Sequence, residues 1–167
     1  MRNLSHLLTN ADDEKVLAAL FRIGASEGEI PSVDEETVGS LLRRDLPELR
    51  ERTLFVFGIR GRRRDLCGQF EQTLLNEPRE NWVVIGAAVS ALYSSGCFET
   101  SNATKQAMLH FLGDDRLRDR IGGLICAFAL RAANSIDDEE YTRLTLIMEP
   151  PSSELIVRAR VALSQIA

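Results

Sequence analysis

Residues 84–96 read Val84-Ile85-Gly86-Ala87-Ala88-Val89-Ser90-Ala91-Leu92-Tyr93-Ser94-Ser95-Gly96. Val84, Ala87, Ala88, Ala91 and Leu92 recur at three- and four-residue intervals, which puts them on one face of a helix and excludes a strand. Gly96 ends the run, as a residue without a Cβ does at many helix C-termini. The same ending recurs on the N-terminal side at Gly24 and Gly61, giving steps of 37 and 35 residues between the three glycines. Four residues before each glycine stand Leu20, Phe57 and Leu92, preceded by Ala19, Val56 and Ala91. On the C-terminal side the ladder continues without glycine at Ala129-Leu130 and Ala162-Leu163.

A second ladder interleaves with the first at Leu41-Leu42, Leu74-Leu75, Phe111-Leu112 and Ile147-Met148, each followed by a polar or proline-containing break. Two interleaved ladders of nearly equal period describe a two-helix unit repeated along the chain. The spacing predicts nine helices, over about 11–24, 33–44, 47–60, 63–76, 79–94, 102–112, 115–133, 137–148 and 152–166. Ser32-Val33-Asp34-Glu35 reads as a capping box with Ser32 as the cap. Pro47, and Pro151 or the Ser152-Ser153 pair, suit first turns. Asp137-Asp138-Glu139-Glu140 sets negative charge at a helix start, where the macrodipole favours it. Gly61 is expected to stop a helix. A single helix pair could not bury its apolar face alone, whereas stacked pairs bury a continuous core.

These residues resemble the HEAT family. The likeness lies in a helix ending in Leu-Leu, an acidic break, then Pro or Asp leading into a helix with an Arg and an Ala-x-x-Ala-Leu-type face. Asp45-Leu46-Pro47-Glu48-Leu49-Arg50 and Asp114-Asp115-Arg116-Leu117-Arg118 carry it best. Thr53 and Phe57 stand where small or aliphatic residues are usual. The resemblance implies an all-α fold, a right-handed α-solenoid of about 4.5 helix-pair repeats. It would form one domain over 11–167 after an N-terminal segment 1–10. It also implies binding through a curved surface, and little more about function.

The net charge of −5 argues against nucleic acid as a partner, since phosphate binding needs a basic footprint. The charge is uneven. Between Asp12 and Glu36 eight acidic side chains face Lys15 and Arg22, and between Arg43 and Arg64 eight arginines face Asp45, Glu48 and Glu51. No run approaches the roughly 20 apolar residues of a membrane span, and the first residues lack a signal-peptide pattern. Cys67, Cys97 and Cys126 leave one cysteine over in any pairing and have no Cys-x-x-Cys spacing. They read as small buried hydrophobes in a reducing cytoplasm.

Catalytic signals are weak. Gly58-Ile59-Arg60-Gly61 lacks the further glycine and the strand of a nucleotide loop, and Gly-x-Ser-x-Gly is absent. Two histidines, His6 and His110, exclude a multi-histidine metal site. Acid pairs such as Asp114-Asp115 sit at breaks, where caps are expected. The expectation is a chain with no catalysis, cofactor or metal. Arginine supplies 18 of the 20 basic residues, and Arg62-Arg63-Arg64 is the densest cluster, suited to forked capture of carboxylate or phosphate. If the second helix of each pair lines the concave face, as in HEAT-like stacks, a partner would meet Arg43, Gln69, Gln72, Gln106, His110 and Arg143, besides Arg62, Arg63 and Arg64. The leading expectation is a cytoplasmic protein-binding module, such as an inhibitor, immunity or adaptor protein. The alternatives are nucleic-acid binding through Arg43–Arg64 and a tetrapyrrole lyase-like activity.

Overall fold

The apolar seam at residues 84–92 becomes the middle of the molecule. Val84, Ile85, Ala88, Val89, Ala91 and Leu92 are all buried in the helix Trp82–Ser94. The structure is a computed structural model describing residues 2–146 and 149–166. The described residues are all-helical, 75% of them lying in helix.

In chain order the helices are α1 (Arg2–Asn10), α2 (Asp13–Ala25), α3 (Glu35–Leu42), α4 (Pro47–Thr53), α5 (Cys67–Asn76) and α6 (Trp82–Ser94). They continue as α7 (Asn102–Gly113), α8 (Asp115–Ala132), α9 (Asp138–Leu146) and α10 (Ser153–Gln165). A π-helix, Leu54–Arg60, prolongs α4, and a 3-10 turn, Arg64–Leu66, leads into α5. One row is formed by α2, α4 with its π-helix, α6 and α8, each packed on the next. A second row is formed by α1, α3, α5 and α7. The core lies between the rows, with Phe57, Phe70 and Phe128 among its largest fully buried side chains.

Most predicted helices are present, and the differences have local causes. The N-terminal segment 1–10 is a helix over Arg2–Asn10 that packs on α2 and α3 and buries Leu8 completely. Asp34, not Ser32, caps α3, because its carboxylate accepts from the backbone N–H and the hydroxyl of Thr37. Ser152 caps α10 and Pro47 occupies the first turn of α4, as the pattern predicts. Gly24 lies inside α2, where Phe55 crosses it, and does not stop the helix. Gly61 caps the π-helix with right-handed backbone, and the left-handed residue is Arg62, φ 48°. Ile147-Met148, the last step of the second ladder and the end of the predicted 137–148 helix, falls outside the described residues.

The larger difference is at α9, where the alternation of rows breaks. α9 packs on α8 and lays Tyr141 flat against Tyr93 of α6, ring centroids 3.4 Å apart. α10 packs on both α7 and α8. The reason is compositional: α9 is Asp-Glu-Glu-Tyr-Thr-Arg-Leu-Thr-Leu, and none of its described residues is fully buried. Of its described residues only Tyr141 and Leu144 pack against the core, each partly buried. Lys105, buried in α7, donates instead to the Ile166 carbonyl beyond α10, at 2.6 Å.

The three cysteines are not all free. Cys67 and Cys97 form a disulfide joining the start of α5 to the segment after α6. The odd count hid this, because the residue left over is Cys126, which is buried with its thiol pushed up to about 12 by desolvation. A disulfide counts against a reducing cytoplasm. Among the described residues no helix is long and apolar enough to cross a membrane.

The π-helix presses hardest on α6 at Gly58. A Cβ there would stand 2.3 Å from the Cβ of Ala91 and 3.1 Å from its Cα. The buried hydroxyl of Ser95 donates to the Gly58 carbonyl at 3.1 Å. Gly58→Ala is expected to destabilise the protein by about 1–3 kcal/mol through overpacking. Gly68→Ala, in open space, is expected to be neutral or mildly stabilising. Urea unfolding of the two variants checks the contrast; equal midpoints would contradict the close approach.

Candidate interaction surface

Gly39 stands at the centre of the side chains expected to meet a partner. An ideal Cβ at Gly39 would lie 3.0 Å from Gln69 Oε1 and 3.1 Å from Arg43 Nη1. The missing side chain lets the Arg43 guanidinium and the Gln69 carboxamide close over α3. They form one wall of a groove of about 600 Å³ between α3 and α5, which Gln72, Thr73 and Asn76 also line. Gln69 donates weakly to Glu35 Oε1 at 3.4 Å, whereas Gln72 and Arg43 are exposed. Among the described residues Arg43 has no salt-bridge partner. The groove therefore offers one free guanidinium and a run of amides able both to donate and to accept.

Beneath that wall lies a buried ion pair. Arg50 forks onto Glu77 (Nε to Oε2 2.8 Å, Nη2 to Oε1 2.6 Å) and also donates to the Arg44 carbonyl at 2.5 Å. Only 11% of the Arg50 side chain and 3% of the Glu77 side chain are exposed. Asn81 donates to Glu77 Oε1 as well, at 2.7 Å.

The other arginines between 43 and 64 turn inward more than expected. Arg44 donates to the Leu8, Thr9 and Ala11 carbonyls at the end of α1 and to Asp13. Arg60 does the same for Ile23, Gly24 and Ser26 at the end of α2. Each satisfies carbonyls that a helix end leaves unpaired, where cations are also favoured. Arg52 lies over the Phe21 ring, 3.9 Å from its centroid, with Phe55 at 5.0 Å. Arg63 forks onto Asp65 and donates to the Val33 carbonyl. The hydrogen bonds from Arg63 hold the Asp65 carboxyl below its ordinary range, and the Thr37 bonds do the same for Asp34. Such depressed carboxyls stabilise the fold above the ordinary carboxylate range and cease to do so as pH falls through their folded pKa. Arg62 and Arg64 are exposed.

The structure thus brings Arg43, Gln69 and Gln72 to one groove. Gln106 and His110 follow on α7, exposed, in the same row of helices. His110 Nε2 is in contact with Arg79, which reaches Asp114 Oδ2 at 3.4 Å. Arg62 and Arg64 belong to the turn before α5, and Arg63 is held by Asp65. Arg143, on α9, is set apart from that row.

The chain matches no protein-family model, no curated protein and no solved structure.

Sequence reasoning missed the arginine caps, although a signal existed. Arg44 and Arg60 reach carbonyls 33–37 residues earlier, Ser95 reaches Gly58 across 37, and Arg79 reaches Asp114 across 35. Glu71 accepts from Thr104 Oγ1 across 33 and from the backbone N–H of Ser101, the cap of α7, tying α7 to the preceding helix of its row. These separations are the steps of the apolar ladders. Polar side chains one step after a helix end were the pattern to look for.

Proposed function

We propose that this chain is a non-catalytic protein-binding module, built as a right-handed α-solenoid of about 4.5 HEAT-like helix-pair repeats. The architectural reading is supported by polar contacts and ladder residues that share one step of about 35 residues. The departure of α9 from its row limits the regular part to the first four pairs.

The groove between α3 and α5 is the proposed binding face, and the observation that carries it is the convergence of Arg43 and Gln69 over Gly39. Amides at Gln69, Gln72 and Asn76 suit the backbone of an extended segment, and Arg43 suits an acidic side chain on it. The partner in this reading is a protein, as for an inhibitor or adaptor. Inward use of Arg44, Arg50, Arg52, Arg60 and Arg63 leaves only Arg43, Arg62 and Arg64 of the 43–64 stretch for a nucleic-acid backbone, which favours protein over nucleic acid for this surface.

The test compares the wild type with Arg43→Glu/Gln72→Ala as bait in the native host's extract, followed by affinity measurement on the captured protein. Loss of about 2 kcal/mol, or roughly 30-fold in Kd, is expected if Arg43 anchors the contact. Equal capture by both baits, or capture of nucleic acid alone, would refute the groove.

A further inference from the structure

A second cavity lies close to the α3–α5 groove along the chain, Pro78 lining the groove and Arg79 the cavity, and it gathers arginines outside the 43–64 stretch. It has a volume of about 490 Å³ and is lined by Arg79, Trp82, Arg116 and Arg120, with Glu80 and Asp114. Arg79 comes from the segment before α6, and Arg116 and Arg120 are one turn apart at the beginning of α8. Asp114 is engaged twice, capping α8 through Arg116 N and Leu117 N and pairing with Arg79. The acids beside the cavity on α8, Asp115 and Asp119, are both taken by Arg118. Among the described residues Arg116 and Arg120 have no salt-bridge partner. Arg120 lies over the Trp82 indole, 4.7 Å from the ring centroid, so one of the two is already held in place.

Trp82 and Arg120 also line a neighbouring cavity of about 340 Å³, whose walls include Ile59, Val83, Ala87, Leu124 and Leu144. Val83 is 48% exposed there, a large aliphatic side chain facing solvent. The neighbouring cavity also carries Glu51, Asp119 and Glu149, so a cationic cavity and a mixed one, apolar over Val83, Ala87 and Leu124, share a wall made of an indole and a guanidinium.

We infer that this paired cavity binds an organic phosphate monoester, with the phosphate among Arg79, Arg116 and Arg120 and an apolar body beyond Trp82 over Val83 and Ala87. Three guanidinium forks suit a tetrahedral dianion, which offers three equivalent oxygens, better than a planar carboxylate that one fork satisfies. Among the described residues Glu80 in the cationic cavity and Glu149 in the neighbouring one have no salt-bridge partner, and they set a preference against ligands carrying further negative charge.

Trp82 is the sole tryptophan of the chain, so its emission reports directly on the cavity. The probes are phenyl phosphate, inorganic phosphate and benzoate, titrated to about 10 mM, where even a millimolar site fills. Phenyl phosphate is expected to change the emission saturably, with inorganic phosphate weaker and benzoate weakest. Arg116→Gln and Arg120→Gln, both at exposed positions, should each weaken phenyl phosphate at least about tenfold, and Arg158→Gln on α10 should leave it unchanged. Calorimetry repeats the series without relying on the indole that Arg120 covers. A flat titration, equal affinity for benzoate and phenyl phosphate, or equal loss in the Arg158 variant would overturn the assignment. Inorganic phosphate binding as tightly as phenyl phosphate would overturn the apolar half of it.

Discussion

Glu77→Ala is expected to destabilise the protein by about 3–5 kcal/mol, the cost of leaving one charge of a buried pair without its partner. The Arg50 side chain is 11% exposed, and with Glu77 gone its guanidinium would stay buried with two forked bonds removed. Its bond to the Arg44 carbonyl would persist but does not neutralise it. Asn81 would lose its acceptor as well. The double variant Arg50→Met/Glu77→Leu should recover most of the loss, because apolar replacements of similar volume dispense with both desolvated charges. Urea midpoints of the wild type, the single variant and the double variant decide the matter. A loss below about 1 kcal/mol for Glu77→Ala would place the pair among exposed ion pairs in energetic terms.

Opening the Cys67–Cys97 bond is expected to cost about 3–4 kcal/mol on the loop-entropy account, for a sequence separation of 30 residues. For a chain of this size that corresponds to a fall in Tm on the order of 10 °C. The bond pins the first turn of α5, and so the Gln69 and Gln72 side of the groove, to the segment that follows α6. Cys67→Ser/Cys97→Ser should melt at the same temperature with and without reductant, and wild type with reductant should match it. A wild type whose Tm ignores reductant would show that the bond contributes nothing to the folded state. Partner capture by the reduced protein would then tell whether the groove depends on the staple.

Residues 84–92 show how much could be read without a structure. Of Val84, Ala87, Ala88, Ala91 and Leu92, which stand three and four apart, all are buried except the half-buried Ala87. An apolar stripe of that period has one way to leave water, so helix and core face were determined together. The ladders of Leu20, Phe57 and Leu92, and of Leu41, Leu74 and Leu112, likewise name fully or nearly fully buried residues. Ser152 and Pro47 marked their helix starts because caps act within a single turn.

What the chain's order determined by itself was therefore the short-range part: helices, their apolar faces and the step at which they recur. Tertiary structure alone decided that α9 leaves its row, that Cys67 meets Cys97, and that Arg44 and Arg60 cap helices of the preceding pair. It also decided that Arg43 and Gln69 close over Gly39 while Arg79, Arg116 and Arg120 share a cavity. The physical reason is that helical periodicity and capping act over three or four residues, whereas an arginine's partner depends on which carbonyl or carboxylate another helix brings within reach of its long side chain.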